Sequence, residues 1–322
     1  MPEIHEAVGN DSDYLEIYGT AGDDHIAVPA DYDWVTVEAY SGSDLVEVDG
    51  ANTGYVRIFL EDGGDTIHGG PGAEEALFLD REGRIENVEF RGGAGDDAVY
   101  FSPSSPGLGA NNFLDGGDGK DGLQVNGRGA FVHLENGTAL FGPEGEPGVF
   151  YEASVLNFED IGGSSGHDIF VGTDEGNLLQ GWAGDDLLSG RGGTDRLEGG
   201  LGDDVLVGGR GADGLESNEG ADIIRIDRLV ESLPGQEDTI LDFTFRDTID
   251  LSRIDADLTT AGNQAFAFIG TAAFSGTAGE LRWAFGNGYG RLVSADADGD
   301  GAADFAFRIR EPADLTESDF IL

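Results

Sequence analysis

The chain has 322 residues, with 64 acidic against 17 basic side chains and a net charge of −47. That balance excludes a nucleic-acid surface, which needs basic patches, and predicts a chain that repels itself unless cations bind. No cysteine is present to form disulfides, and 55 glycines make ordering the backbone costly.

The opening residues MPEIHEAVGN hold no basic region followed by an apolar stretch, so no cleaved secretory signal is expected. No run approaches the roughly twenty apolar residues of a membrane span, and none is expected. From residue 14 to 160, glycine–aspartate motifs recur irregularly: GTAGDDHIA (19–27), AYSGSDLVE (39–47), LEDGGDTIH (60–68), GGAGDDAVY (92–100) and GGDGKDGLQ (116–124). Tyr14–Tyr18, Trp34–Val37, Tyr55–Leu60 and Ala153–Phe158 have strand character. Motif starts 20 to 32 residues apart fit a β-helix coil of two or three strands, with calcium-type turns along one edge. Asp24, Asp44, Asp65, Asp97 and Asp121 are the candidate acidic ligands of this half. GGPGAEEAL (69–77) carries Glu74 where the others carry aspartate, and its longer arm is expected to disturb the geometry. PSSPGLGANN (103–112) and GPEGEPG (142–148) read as exposed loops and as candidate partner-binding insertions.

Seven nine-residue units then run in one register from Gly163 to Arg225, each carrying or degrading Gly-Gly-x-Gly-x-Asp-x-φ-x, where φ is apolar. The sixth positions are Asp168, Asn177, Asp186, Asp195, Asp204, Asp213 and Asp222; the eighth are Phe170, Leu179, Leu188, Leu197, Leu206, Leu215 and Ile224. Six residues of glycine-rich turn and three of strand account for the nine, and the eighth side chain points inward. Such a column becomes a core only when several units stack. The turns are expected to present backbone carbonyls and, on the outside, a carboxylate. Hard oxygen ligands without sulfur or imidazole select calcium over zinc. The candidate ligand set is Asp168, Asp186, Asp195, Asp204, Asp213 and Asp222, with the turn glycines Gly181, Gly184, Gly190, Gly199, Gly202 and Gly208.

The block, through units such as GWAGDDLLS (181–189) and GGLGDDVLV (199–207), resembles the repeats-in-toxin (RTX) family of calcium-binding nonapeptide proteins. The resemblance implies a flattened β-roll in which two units make one turn and each ion sits between units two apart. One edge would carry the units starting at Gly163, Gly181, Gly199 and Ser217, and the other those starting at Gly172, Gly190 and Gly208. In the unit GTDEGNLLQ, Glu175 replaces the fourth glycine and Asn177 the aspartate, so that site is expected to be weak. Several calcium ions offset charge repulsion and glycine entropy, so the metal-poor chain is expected to be expanded and the loaded chain folded. Extracellular calcium modules work at about 0.1 to 1 mM.

Residues 238–322 resemble the segment that follows the roll in serralysin-type secreted proteases, through DTILDF (238–243), DTIDLSRIDAD (247–257), GNQAFAFIGTAAFSGTAGELRW (262–283), DGDGAADFAFRI (298–309) and the ending DLTESDFIL. In that family an acidic-then-apolar tail, here Asp319-Phe320-Ile321-Leu322, is read by type I (ABC transporter) secretion machinery and retained. The resemblance implies one-step export from a Gram-negative bacterium, to an extracellular or surface location. Phe320–Leu322 also suits a buried final strand, and an uncleaved signal can fold after export. In the same segment Asp296, Asp298, Asp300 and Asp304 stand at loop positions one, three, five and nine with glycine at six, a calcium-loop spacing. Phe307 stands where an EF-hand needs glutamate, so a short Asp-x-Asp-x-Asp-Gly loop is expected.

Serralysins carry a zinc protease domain marked by His-Glu-x-x-His, and His5-Glu6 has no suitable second histidine, so the resemblance implies export and calcium binding without proteolysis. The alternative is a polysaccharide lyase or epimerase using Tyr40, Tyr55, Arg57, His68, Arg81, Arg84 and Arg91, with Trp34, Trp182 and Trp283 to stack on sugars. Packing is the commoner role of such tryptophans. The expected fold is all-β: an irregular parallel β-solenoid (1–160), a regular β-roll with stacked calcium-binding turns (161–226) and a β-rich C-terminal cap with the export signal (227–322). The expected role is a non-enzymatic matrix, surface-layer or adhesion component, with anionic glycans, the cell surface or further copies as partners.

Overall fold

The computed structural model describes residues 5–8, 14–79, 87–102, 112–127, 129–141, 151–286, 290–310 and 314–322. Arg81, Arg84, residues 142–148 and all but Asn112 of 103–112 lie outside the described residues. Among the described residues, every regular element apart from two short 3-10 turns, Leu229–Glu231 and Glu317–Asp319, is a β-strand. Among the described residues no helix is long and apolar enough to cross a membrane. The chain divides into two compact units, Met1–Gly166 and His167–Leu322.

In the first unit the chain alternates between two sheets. Sheet A takes Tyr14–Tyr18, Trp34–Tyr40, Tyr55–Leu60, Ala73–Leu79, Ala98–Ser102, Gly122–Val125 and Asp160–Gly162 in parallel, with His5–Val8 antiparallel at its start. Sheet B takes His25–Val28, Leu45–Val48, Thr66–His68, Glu89–Ala94, Asn112–Asp118 and Tyr151–Leu156 in parallel, then Thr138–Phe141 and Ala130–His133 antiparallel. Each coil thus has two strands, one per sheet. The alternation is what period-two sequences dictate: YVRIFL buries Val56, Ile58 and Leu60 between the sheets and turns Tyr55, Arg57 and Phe59 outward.

The second unit repeats the plan more strictly. Leu178–Ala183, Arg196–Leu201 and Gly214–Glu219 stack in parallel as sheet C, and Ile169–Val171, Leu187–Gly193, Val205–Gly211 and Ile223–Arg225 as sheet D. Leu179 faces Leu197 and Leu197 faces Leu215; Phe170 faces Leu188, and Leu188 faces Leu206. The apolar column runs from Phe170 to Ile224, with every eighth-position side chain 1 % exposed or less. One turn of the roll is therefore two nonapeptides.

The stack does not stop at Arg225. Thr239–Ile240 adds to sheet C and Thr248–Asp250 to sheet D, both in parallel. Sheet C then continues through Phe305–Ile309 into the antiparallel strands Arg291–Asp296 and Glu280–Phe285, and sheet D takes Phe320–Ile321 beside Thr248–Asp250. The Phe320 side chain is buried, 5.4 Å from the Phe268 ring.

Leu197 is fully buried, whereas Leu201, four residues on at the end of the same strand, is 54 % exposed. Leu197→Ala is expected to lower the unfolding free energy in calcium by about 2 to 5 kcal/mol, and Leu201→Ala to change it by no more than about 0.5 kcal/mol. Urea titration of the two variants checks the inward column.

Candidate metal centre

Each sixth-position residue links its coil to the next. The backbone N–H of Asp168 donates to Asp186 Oδ1 at 2.7 Å, that of Asp186 to Asp204 Oδ1 at 2.8 Å and that of Asp204 to Asp222 Oδ1 at 2.9 Å. On the other edge Asn177 N–H donates to Asp195 Oδ1 and Asp195 N–H to Asp213 Oδ1, both at 2.8 Å. The first unit builds the same rungs: Asp24 to Asp44, Asp44 to Asp65, Glu74 to Asp97 and Asp97 to Asp121, with Asp121 N–H reaching Glu159 Oε2 at 2.8 Å. An outer rung runs the opposite way wherever the fifth residue is also acidic, Ser43 N–H donating to Asp23, Asp203 N–H to Asp185 and Ala221 N–H to Asp203, each at 2.9 Å.

One oxygen of each inner carboxylate is thereby fixed, and the other is the informative one. Oδ2 of Asp44, Asp65, Asp97, Asp121, Asp186, Asp195, Asp204, Asp213 and Asp222 is buried without a hydrogen-bond partner. A buried carboxylate oxygen left bare costs free energy unless a proton or cation meets it. Those of Asp97, Asp121, Asp186, Asp195, Asp204 and Asp213 point at the first-position glycine of their own unit. A Cβ on Gly181 would collide with Asp186 Oδ2 and lie 2.6 Å from the Gly199 carbonyl oxygen; one on Gly190 would collide with Asp195 Oδ2 and lie 2.7 Å from the Gly208 carbonyl oxygen. Gly199 and Gly208 likewise face Asp204 Oδ2 and Asp213 Oδ2. The fourth-position glycines are needed for a different reason, since Gly184 (φ 126°) and Gly202 (φ 128°) adopt backbone conformations that L side chains avoid. Carboxylate and carbonyl oxygens converging in a repeated glycine turn fit calcium, a hard cation taking six to eight oxygens.

Two expectations need correction. The inner carboxylates do not stand on the outside: from Asp24 to Asp222 every sixth-position residue named above is 5 % exposed or less, because neighbouring coils cover it. Nor do the turns of the first half share one edge. Asp24, Asp44 and Asp65 precede strands of sheet B, whereas Asp97 and Asp121 precede strands of sheet A. Glu74 lies with the latter group, and its longer side chain leaves the rung to Asp97 intact at 2.7 Å.

Further members are visible only in the structure. Asp213 N–H donates to Asp238 Oδ1 at 3.1 Å and Asp222 N–H to Asp247 Oδ1 at 3.2 Å, so the acidic column continues into the segment after the nonapeptides. The signal was present as two Asp-Thr-Ile tripeptides nine residues apart, each with its isoleucine buried. It was hidden because these rungs span 25 residues, whereas the preceding ones span 18. Two positions differ in chemistry. Thr173 N–H donates to Asn177 Oδ1 at 2.8 Å, and the Thr20 amide and hydroxyl engage both oxygens of Asp24, so each of these two turns supplies its own donor where the nine aspartates above keep a bare Oδ2.

The separate loop brings together Asp296, Asp298 and Asp304, with one carboxylate oxygen of each within 4.8 Å of the others. Asp300 instead accepts from Ala302 N–H at 2.7 Å. The residues expected for sugar chemistry are divided between faces: Tyr55 and Arg57 point out from sheet A, and His68 and Arg91 belong to sheet B. Arg57 is engaged by Glu75 at 2.6 Å and Arg91 by Glu89 at 2.7 Å.

In the calcium-free chain, burial pushes the carboxyls of Asp44, Asp121, Asp186, Asp204, Asp213 and Asp222 up to about 6, Asp195 to about 7, and Asp65 and Asp238 to about 8. Burial raises Glu74 and Asp97 as well, with neighbouring carboxylates adding to it.

Glycine-turn coils with stacked, half-satisfied carboxylates define a calcium-binding β-solenoid. The profile of the family described as Peptidase M10 serralysin C terminal matches residues 152–322, just over half of the chain, and the chain belongs to that family. The profile described as RTX calcium-binding nonapeptide repeat (4 copies) matches residues 51–73, the stretch that holds Asp65. No curated protein is similar enough to match. Together the two families make this a calcium-binding, RTX-type protein, and they imply secretion from a Gram-negative bacterium by the type I route.

Gly199→Ala is expected to remove about one bound ion and raise the calcium midpoint of folding, because its Cβ would lie 2.8 Å from the Ser217 carbonyl oxygen and against Asp204 Oδ2. Gly122→Ala, with nothing within 4 Å of the added Cβ, is expected to leave the ion count unchanged. Metal analysis after equilibrium dialysis compares them. The raised carboxyls also set a sign for pH. In chelator the folded chain holds more protons than the unfolded chain between the ordinary aspartate value of 3.8 and the raised values of about 6 to 8, so stability is lost as pH rises through that window. By small-angle scattering, the chain in chelator is expected to be less expanded at about pH 5 than at about pH 8.

Proposed function

We propose that this protein folds on meeting calcium outside the cell and then acts as a non-enzymatic matrix, surface-layer or adhesion component. Divalent ions bridge its acidic surface to anionic glycans, to the cell surface or to further copies. The observation that carries the reading is the set of buried carboxylates Asp44, Asp65, Asp97 and Asp121 in the first unit and Asp186, Asp195, Asp204, Asp213 and Asp222 in the second, each with one oxygen held by a backbone N–H and the other bare. In this reading the ligands are Asp44, Asp65, Asp97, Asp121, Asp186, Asp195, Asp204, Asp213 and Asp222, together with first-position backbone carbonyls such as those of Gly199 and Gly208. Asp296, Asp298 and Asp304 form a separate loop site. Asp24 and Asp168 take part as ends of their columns through their backbone rungs.

The three-part division serves the same purpose. Residues 1–160 and 161–226 carry the calcium coils, and 227–322 caps them and carries the export signal. Lyase or epimerase chemistry has less support, because Tyr55 and Arg57 stand on a different sheet from His68 and Arg91. In a calcium titration followed by circular dichroism and small-angle scattering, the chain is expected to compact cooperatively at about 0.1 to 1 mM calcium and not with magnesium, whose octahedral preference the repeated turn does not suit. A chain already compact in chelator would sink the calcium-folding reading. Retention on cells or acidic glycans at millimolar calcium, reversed by chelation, checks the surface role.

A further inference from the structure

Glu74 stands where the acidic column of the first unit changes edge. Asp65 belongs to the sheet B edge, and nine residues later Glu74 opens the sheet A edge, ahead of Asp97 and Asp121. The Glu74 side chain is 1 % exposed, and neither of its carboxylate oxygens has a hydrogen-bond partner. The aspartates of the column leave one oxygen bare; Glu74 leaves two. Its direction is also informative, since a Cβ added at Gly69 would lie 2.7 Å from Glu74 Oε2 and collide with the Gly92 carbonyl oxygen. That is the arrangement of Gly181, which faces Asp186 Oδ2 and the Gly199 carbonyl oxygen. The longer side chain therefore delivers its carboxylate to the same cradle, formed by a first-position glycine and the carbonyl of the next coil.

We propose that Glu74 is a calcium ligand, binding an ion with the Gly92 carbonyl at the head of the sheet A column. This rests on the calcium reading of the whole chain. The chemistry is consistent with it, because a buried carboxylate with two bare oxygens beside a backbone carbonyl offers only hard oxygen donors. The competing arrangement is a proton shared between Glu74 and Asp97, which satisfies the pair without an ion.

Full-length wild type and Glu74→Gln, both dialysed against millimolar calcium, distinguish the two. Bound calcium is counted by mass spectrometry, and hydrogen exchange is followed at residues 69–79 and 181–189 with and without calcium. The expected result is one ion fewer in E74Q, with calcium-dependent protection at 69–79 reduced roughly tenfold and that at 181–189 unchanged. An E74Q protein that matches the wild type in ion count and in protection at 69–79 overturns the proposal, since glutamine is isosteric with the protonated acid. Glu74→Asp keeps a carboxylate and restores the residue of the other turns, so it is expected to retain the wild-type count; a deficit there also overturns the proposal. A wild-type chain that binds no calcium overturns instead the reading on which this one rests.

Discussion

Nine aspartates, Asp44, Asp65, Asp97, Asp121, Asp186, Asp195, Asp204, Asp213 and Asp222, are buried with only one carboxylate oxygen satisfied, and the rest of the structure depends on that shortfall. Adjacent strands lie about 4.8 Å apart. Like charges at roughly that separation repel by about 3 to 4 kcal/mol at the effective dielectric suited to protein sites. A column such as Asp168, Asp186, Asp204, Asp222 and Asp247 repeats this repulsion at every step, while the N–H to Oδ1 rungs hold the carboxylates in line. The backbone pattern is thus complete and the electrostatics are not. Protons or cations must supply what is missing, and a net charge of −47 makes the same demand of the chain as a whole. Between coils the choice of cation follows from the donors, which are carboxylate and carbonyl oxygens.

The nine-residue motif can be read as a set of separate constraints that meet in one turn. The first residue is glycine because carboxylate and carbonyl oxygens occupy the space of its Cβ, not because of its φ. The fourth is glycine because of φ, as at Gly184, Gly193, Gly202 and Gly211. The second also takes positive φ, yet tolerates Trp182 (φ 71°), Arg191 (φ 78°) and Asn218 (φ 69°), whose angles lie near the left-handed well open to L residues. The sixth holds the buried carboxylate, and the eighth fills the core. A unit that breaks one constraint changes the chemistry: with Glu175 at its fourth position, the turn of GTDEGNLLQ satisfies Asn177 from Thr173.

Much of this was legible in sequence because the roll has translational symmetry. Every 18 residues the same side chain returns to the same place, so a column in the alignment of units is a column in space. Strands such as Tyr14–Tyr18 and Tyr55–Leu60 were legible for a simpler reason, the two-residue alternation. What escaped was whatever depends on coil length. In the first unit successive rungs span 20, 21, 23 and 24 residues, so equal spacing no longer identifies an edge, and the nine-residue step from Asp65 to Glu74, half a coil, moves the column across. Asp238 and Asp247 were concealed by a longer connection that includes the turn Leu229–Glu231. The depth of the carboxylates was not legible either, because a single turn exposes what two stacked turns bury.

Asp247 ties the last feature of the chain to the first constraint. Its rung to Asp222 positions Thr248–Asp250, and that strand is the one on which Phe320–Ile321 pairs, with Leu251 N–H donating to the Ile321 carbonyl at 2.8 Å. Phe320 is then buried against Phe268. The seat for this strand exists only when the last coil is formed, and the last coil carries the same acidic column as those before it. Backbone pairing and the buried ring thus hide Phe320 once the last coil has formed, while Ile321 beside it stays 43 % exposed, so the cap strand is held by one side chain and by its ladder to a coil that belongs to the acidic column.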